Sequence, residues 1–410
     1  MKRLAFVLAV AMIAMLNAPA FASEFSASGS YRFEAVSDEP VGAGADSDFF
    51  DQRLRAKFFW QVNDNVSAVL QGDFAEAKWS DAPAEGEDTL HISKAYVDIT
   101  QGALNTKIGY HSVAFGHGLV WSDIFQGISA SVDLSPVTIS AVYSKDSEGG
   151  ETTDDTDANK DADTYAFDVA FANDIFSGGL TYAIKTDSYE DAVETTYYDG
   201  EKEGYGAYAT FPMEDLTLKA ALALFDGDVA GSTDDYTGTQ FYAALDFPVT
   251  EALSGTLSFV WADSAGDGEE QLTSVTDDWA FMLVDFQGEL GFINGNLADT
   301  LNIFNIAETE EVVAGGATGG DAGVMGLVGD IKWIATEDLT VYGTLAYAEP
   351  SDTDNTNLEN VMYALASVDY AWMPAVTVSG GIGYISPEYS TEEADDDAGL
   401  ELVFQLGVSF

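Results

Sequence analysis

The stretch LELVFQLGVSF, residues 400–410, alternates between two kinds of side chain. Its even-numbered residues are all apolar, and Glu401, Gln405 and Ser409 lie between them. A period of two over this length gives a β-strand one apolar and one polar face. The same alternation recurs at 25–35 (FSASGSYRFEA), and it predicts an all-β protein.

The connections between such stretches also alternate, in length and in charge. The short connections are NDN (63–65), SP (135–136), FPMED (211–215), ATED (335–338) and MPA (373–375). The long connections are acidic, as in SDEPVGAGADSD, SEGGETTDDTDANKDAD and YSTEEADDDAG. Short periplasmic turns and longer external loops are the pattern of a transmembrane barrel, whereas a soluble sandwich has no reason to segregate its loops in this way.

The strand count depends on one irregular stretch. Strands counted between these connections number 20, and the count falls to 18 if the hairpin predicted in GELGFINGNLADTL (288–301) does not span. The predicted fold is therefore an all-β transmembrane antiparallel barrel of about 18–20 strands, with 16 still allowed, short periplasmic turns and long acidic external loops.

The first residues predict export. A basic start, MKR (1–3), precedes an apolar run at 4–16, and AFA (20–22) has the small-x-small pattern of a signal-peptidase site. The run is shorter than the roughly 20 residues needed to span a bilayer as a helix. We therefore expect a cleaved signal at 1–22 and an outer-membrane barrel over 23–410.

Composition excludes several kinds of function. The chain has a formal net charge of −55 and no cysteine. Such a charge excludes binding of a nucleic-acid backbone by the overall surface, and the lack of cysteine excludes disulfides, thiolate nucleophiles and Cys metal sites. A hydrophobic content of 47% argues against disorder. The acidic loops predict diffuse binding of divalent cations.

Basic residues inside the predicted strands follow the polar phase. A basic residue on the lipid face near mid-membrane costs about 2–4 kcal/mol, so these residues are expected to face inward. Six of them lie on four of the first five strands and form one predicted wall: Arg32, Arg53, Arg55, Lys57, Lys94 and Lys107. Glu34, Asp73 and Asp98 share their phase, so pore lining and internal ion pairing both stay open.

The chain resembles a Gram-negative outer-membrane porin. The resemblance is carried by the C-terminal strand ending in Phe410, by KAYVDIT (94–100) and by KIGYHSVAFGHGL (107–119). It implies that Phe410 is read as an assembly signal by the barrel-assembly machinery. It also implies a homotrimer embedded in outer-membrane lipid and lipopolysaccharide, and a loop after the fifth strand that folds into the barrel.

The stretch GYHSVAFGHGLVWSDIFQG (109–127) fits that loop, because it is poor in charge and rich in glycine. We predict a pore-constricting loop near 112–126, between a fifth strand at 104–111 and a sixth at 127–134. Its glycines allow the bend, and its two bulky aromatic residues pack against the wall. The residues assigned to it are Phe115, Gly116, His117, Gly118, Trp121 and Asp123. The alternative is an ordinary loop at the rim.

These residues predict a passive diffusion channel for small hydrophilic solutes and ions, with no catalytic residue, cofactor or metal. His111 and His117 lack a recognisable ligand pattern. One alternative is a channel selective for sugars or small organic anions, although inward aromatic residues such as Phe59 and Tyr96 are sparse. Another is a scaffold that sheathes a periplasmic partner or acts as an adhesin, which would need an unobstructed lumen.

Overall fold

A computed structural model describes the strands, the short turns and one inserted hairpin. The described residues are 24–39, 47–78, 91–147, 161–190, 197–229, 235–264, 269–271, 275, 323–351, 358–390 and 398–410. The predicted signal and most of each acidic loop lie outside them. The described part contains no helix long and apolar enough to cross a bilayer.

The described residues form nineteen strands. They are β1 (Glu24–Glu39), β2 (Ser47–Asn63), β3 (Val66–Lys78), β4 (His91–Gln101), β5 (Leu104–Phe115), β6 (Trp121–Asp133), β7 (Val137–Ser147), β8 (Asp161–Ala172), β9 (Ser177–Glu190), β10 (Tyr197–Met213), β11 (Leu216–Asp228), β12 (Asp235–Thr250), β13 (Leu253–Ala262), β14 (Glu269–Gln271), β15 (Val324–Thr336), β16 (Leu339–Glu349), β17 (Leu358–Met373), β18 (Val376–Tyr389) and β19 (Gly399–Ser409).

Eighteen of these strands close into an antiparallel barrel. Each pairs with its neighbours in the chain, and β19 closes on β1 through pairs that include Ser30 with Ser409. The short β14 pairs in parallel with β12 and is not one of these eighteen strands. β13 pairs directly with β15, so the ring has no further strand between them, and the stretch at 288–301 lies outside the described residues. The count of 18 is confirmed and the count of 20 is wrong.

The barrel is apolar outside and polar inside. Leu180 and Leu345 on the outer face are 66% and 70% exposed, whereas Asp168 and Glu401 on the inner face are 4% and 0% exposed. Soluble barrels bury their apolar face, so this inverted arrangement suits an exterior of lipid. The alternation read from the sequence therefore corresponds to an apolar outside and a polar lumen.

The short turns, the start of β1 and the end of β19 lie at one end of the barrel. Turns of a few residues join β2 to β3, β4 to β5, β6 to β7, β8 to β9, β10 to β11, β12 to β13, β15 to β16 and β17 to β18. Phe410 extends the closing seam here, because its backbone N–H donates to Gly29 O at 3.0 Å and Gly29 N–H donates to Phe410 O at 2.8 Å. A Cβ on Gly29 would lie 2.6 Å from the Phe410 ring, so only glycine leaves room for it.

Candidate pore constriction and basic wall

The β5–β6 hairpin leaves the barrel wall. Its two strands stay paired as far as Phe115 and Trp121. Pairing with the neighbouring strands ends earlier, at Tyr110 on the β4 side and at Gly127 on the β7 side. Residues 111–126 therefore extend beyond the ladder of the wall as a separate hairpin.

Two glycines mark the point of departure. Gly109 and Gly127 are partners in the β5–β6 register. A Cβ on Gly109 would lie 3.0 Å from Tyr96 Cα, and one on Gly127 would lie 3.0 Å from Ser144 Cα. Gly109 also has φ 125°, a conformation that side chains disfavour. Close backbone approach at both positions therefore requires glycine.

The tip of the hairpin is a single 3-10 turn. Gly116, His117 and Gly118 have φ values of 63°, 57° and 81°. Two of these three left-handed positions are glycine, which adopts them without steric cost. The prediction of a loop over 112–126 needs correction: most of it continues β5 and β6 as strand, and the bend into the barrel lies at the two glycines outside that range.

The tip lies against the inner face of β9 and β10, four strands along the ring of eighteen from its own strands. A Cβ on Gly116 would lie 3.1 Å from Thr181 Oγ1 on β9. Val120, which is 0% exposed, packs at Gly204 and Gly206 on β10. Val275, from the connection between β13 and β15, donates its backbone N–H to Val120 O at 3.4 Å. The hairpin therefore lies inside the barrel, in contact with β9, β10 and Val275.

His117 lies between two tyrosines, Tyr208 of β10 and Tyr242 of β12. Its ring centroid lies 5.3 Å from that of Tyr208 and 6.5 Å from that of Tyr242, both edge-on. Nε2 lies 3.4 Å from Thr210 Oγ1. Burial at the tip lowers the pKa of His117, an effect that the nearby Lys219 reinforces and a backbone hydrogen bond opposes. A neutral ring can dock here with little charge to desolvate.

A buried carboxylate fixes one of these tyrosines. Tyr208 Oη donates to Asp168 Oδ2 at 3.1 Å, and Thr181 Oγ1 donates to Asp168 Oδ1 at 2.7 Å. Both oxygens of this 4% exposed group thus receive a hydrogen bond, as a buried charge requires. Asp168 orients the surface on which the tip rests.

Aromatic rings fill the hairpin itself. Trp121 packs on Phe115 and Phe125 with centroids 5.8 and 5.1 Å apart, and His111 packs on Phe125 at 4.6 Å. His111 Nδ1 donates to Gly109 O at 3.0 Å, and Nε2 accepts from Ser129 Oγ at 2.8 Å, so the ring braces the bend. The predicted Asp123 is only partly buried on the second strand. The predicted aromatic residues Phe115 and Trp121 thus stiffen the hairpin.

The predicted basic wall has a neutralised part. Arg55 forms a two-point ion pair with Asp73, with both N–O distances 2.8 Å. Arg32 Nε lies 3.2 Å from Glu34 Oε1, and Arg32 Nη2 lies 3.2 Å from Asp51 Oδ2. Arg32 and Arg53 are partners in the β1–β2 register and line a recess of about 320 Å³. The structure therefore brings arginines and carboxylates together as structural pairs.

Two lysines of the wall differ. Lys57 and Lys94 both pair in register with Gln71 of β3, and so stand on one face of three adjacent strands. Within the described part of the chain neither forms an ion pair. Lys107 lies in register with Asp98, and its Nζ lies 5.7 Å from the Tyr96 ring centroid. Among the described residues, the lysines of this wall therefore carry charge that no ion pair neutralises, whereas Arg32 and Arg55 are paired.

Sequence reasoning missed the residues that receive the hairpin. Gly204, Gly206 and Val275 drew no prediction, and Val120 fell within the predicted loop without a role of its own. The signal was present in part: two glycines occur two positions apart on the polar phase of β10, where polar side chains are expected. Among the described residues, no group of three His, Cys, Asp or Glu could hold a metal ion.

Comparison with known proteins identifies the fold. No family model and no curated protein sequence matches the chain. Among solved structures, OccK2 (OpdF) of Pseudomonas aeruginosa in complex with glucuronate is similar at 12% identity and TM-score 0.59, over 95% of this chain and 99% of that one. OprD of the same organism matches at 13% and 0.57, over 96% of both chains. OccAB1 of Acinetobacter baumannii matches at 10% and 0.57, over 96% and 98%.

The fold is that of an outer-membrane porin. Identities this low establish the architecture alone. The closed barrel and its apolar exterior fit an integral position in the outer membrane. The expectation of a porin-like barrel at that location is confirmed.

Proposed function

We propose that the chain is a passive outer-membrane channel for small hydrophilic solutes and ions, narrowed by the 111–126 hairpin. The observation that carries this proposal is the hairpin's path inside a closed barrel, from β5 and β6 to β10 at Gly204 and Gly206. The remaining passage runs beside β1–β4, where Lys57 and Lys94 stand. A sheath for a periplasmic partner would need the space that the hairpin occupies.

Single-channel recording of the refolded protein tests this proposal. We expect discrete conductance steps in a planar bilayer, together with swelling of liposomes in small sugars. The unboiled protein should migrate differently from boiled protein on a detergent gel, because a closed barrel resists detergent. A folded protein, shown by that migration, that conducts no ions would exclude the channel.

A second candidate is selectivity for small organic anions. It is supported by the two lysines that flank Gln71, with Phe59 and Tyr96 two residues away on the same strands and face. The likeness to a channel crystallised with glucuronate agrees with this candidate. A selective channel should show current noise or partial block by millimolar organic anions, and a general channel should pass sugars and acids of one size alike.

Assembly is proposed on the resemblance to porins. We expect the barrel-assembly machinery to read Phe410, and the barrels to form a homotrimer among lipid and lipopolysaccharide. Deleting Phe410 should reduce folded barrel in the membrane and leave export intact, since it removes the ring over Gly29 and the last seam hydrogen bonds. Equal yields with and without Phe410 would contradict this role, and a monomeric mass in mild detergent would contradict the trimer.

A further inference from the structure

The hairpin tip contacts β10 at two glycines, Gly204 and Gly206, which we call the glycine seat. A Cβ on Gly204 would lie 2.7 Å from Val275 Cγ2 and 2.9 Å from Val120 Cγ1. A Cβ on Gly206 would overlap Val120 Cγ2 and lie 3.6 Å from Val120 Cβ. Neither position has room for even a methyl group while the tip stays where it is.

One register partner of each seat glycine is alanine, and the other partners are Phe225 beside Gly204 and Thr181 beside Gly206. Ala183 is in register with Gly204, and Ala223 is in register with Gly206. Both alanines are 0% exposed, and Ala221 is 3% exposed. A wall of larger side chains would hold the tip farther from the backbone of β10, because close-packed interiors do not absorb added volume.

The hairpin is fixed at its other end. It leaves the wall at Gly109 and Gly127, where the backbones approach closely. Its length is set by paired strands stiffened by Trp121. With base and length fixed, the depth to which the tip enters the seat decides how far the hairpin stands from the opposite wall.

We propose that Gly204 and Gly206 are size-selecting residues: the depth of the glycine seat sets the width of the passage between the hairpin and the basic wall. This inference rests on the proposed channel function. The glycines touch no solute; they position the hairpin that does. Side chains added at the seat move the tip into the lumen and narrow the passage.

A substitution series tests the seat. Gly206→Ala should lower single-channel conductance roughly 1.5- to 2-fold, and Gly206→Val should lower it further and slow the larger sugars most, since pore diameter limits permeation. Adding Val120→Ala to Gly206→Ala should restore conductance, because it removes the methyls that the new side chain displaces. Gly407→Ala is the control: it faces the lumen on β19, its nearest contact would be 3.9 Å away, and conductance should not change.

An engineered cysteine pair tests the position of the tip, in a chain that has no cysteine of its own. The separation of 3.6 Å between the Cβ positions of residues 120 and 206 falls within the range of about 3.5–4.5 Å for disulfides. The double variant Val120→Cys, Gly206→Cys should cross-link on oxidation, with conductance after oxidation equal to that of the wild type.

The outcomes separate the two proposals. Conductance that falls with Gly206→Ala and recovers with Val120→Ala, together with cross-linking of an open channel, supports the seat. Unchanged or raised conductance in folded Gly206→Ala and Gly206→Val, or an open channel that does not cross-link, overturns the seat and leaves the channel intact. A folded wild-type protein that does not conduct overturns the proposed function instead.

Discussion

The inner walls of β1–β4 and of β9–β12 are built from opposite kinds of residue. β2 and β11 are nine strands apart in a ring of 18, so the two walls face each other across the lumen. The first carries long charged side chains such as Arg55 and Lys57. The second presents glycine and alanine, as at Gly204 and Ala223, beside Val120 of the hairpin, and it presents Tyr208 and Tyr242 to His117. One wall stays in contact with water while the other packs against protein.

The difference teaches how a barrel divides its lumen. Side chains such as Lys57 extend far from the backbone and remain favourable only while hydrated or paired. Small residues expose a smooth backbone surface on which another segment can pack closely. A hairpin entering from β5 and β6 therefore settles on the small-residue wall, and the hydrated passage is left beside the charged one.

Removing the hairpin should have the largest effect on this contrast. Replacing residues 112–125 by an Asn-Gly turn uncovers the small-residue wall and should raise conductance roughly threefold or more. Single-channel recording measures the change. A comparable cut in the loop at 148–160, outside the described residues, is the control and should leave high-salt conductance unaltered. Unchanged conductance after hairpin removal would mean that the passage does not run past it.

A side chain at Gly127, where the hairpin leaves the wall, should destabilise the barrel. Gly127→Val places side-chain atoms against Ser144 Cα and should cost about 1–3 kcal/mol, as overpacking usually does. Urea unfolding in detergent, followed by gel migration, gives the measurement. Gly329→Val is the matched control, since its Cβ would meet its nearest neighbour at 3.9 Å. Equal midpoints for the two variants would show that the bend does not require Gly127.

Removing charge from the wall should separate its lysines from its ion pairs. The double variant Lys57→Gln, Lys94→Gln deletes two positive charges and should shift the reversal potential in a salt gradient toward cation preference. The double variant Arg55→Gln, Asp73→Asn deletes a neutral pair and should shift it far less. If the two variants shift the potential equally, the lysines do not line the narrow part of the passage.

The smallest effect is expected at the mouth. Trimming the acidic loop at 147–163 should lessen cation preference at low salt only, because charges in water are screened within about 8–10 Å at physiological salt. Wall charges act at shorter range in a lower dielectric and should persist. The measurement is reversal potential against salt concentration. A shift that survives at high salt would place these loop charges near the constriction.

The sequence predicted the strands of the barrel more fully than the segments that connect or fill them. Alternation in stretches such as 53–62 and 400–410 located the strands, since a half-buried strand must repeat every two residues. The hairpin at 288–301 was the exception: the sequence could not tell a spanning pair from a connection, because the pairing of β13 with β15 is a long-range contact. The wall's ion pairs, such as Arg55 with Asp73, were left open for the same reason.

The sequence by itself determined the alternating strands, the short and long connections between them and the charge-poor stretch at 109–127, because these follow from local periodicity and composition. Only the tertiary structure decided that the bend lies at Gly109 and Gly127 and that the tip rests at Gly204 and Gly206. The first pair of glycines is separated from the second by more than 75 positions in the chain. Their role is to leave space for another segment, and the need for space exists only once the barrel has closed.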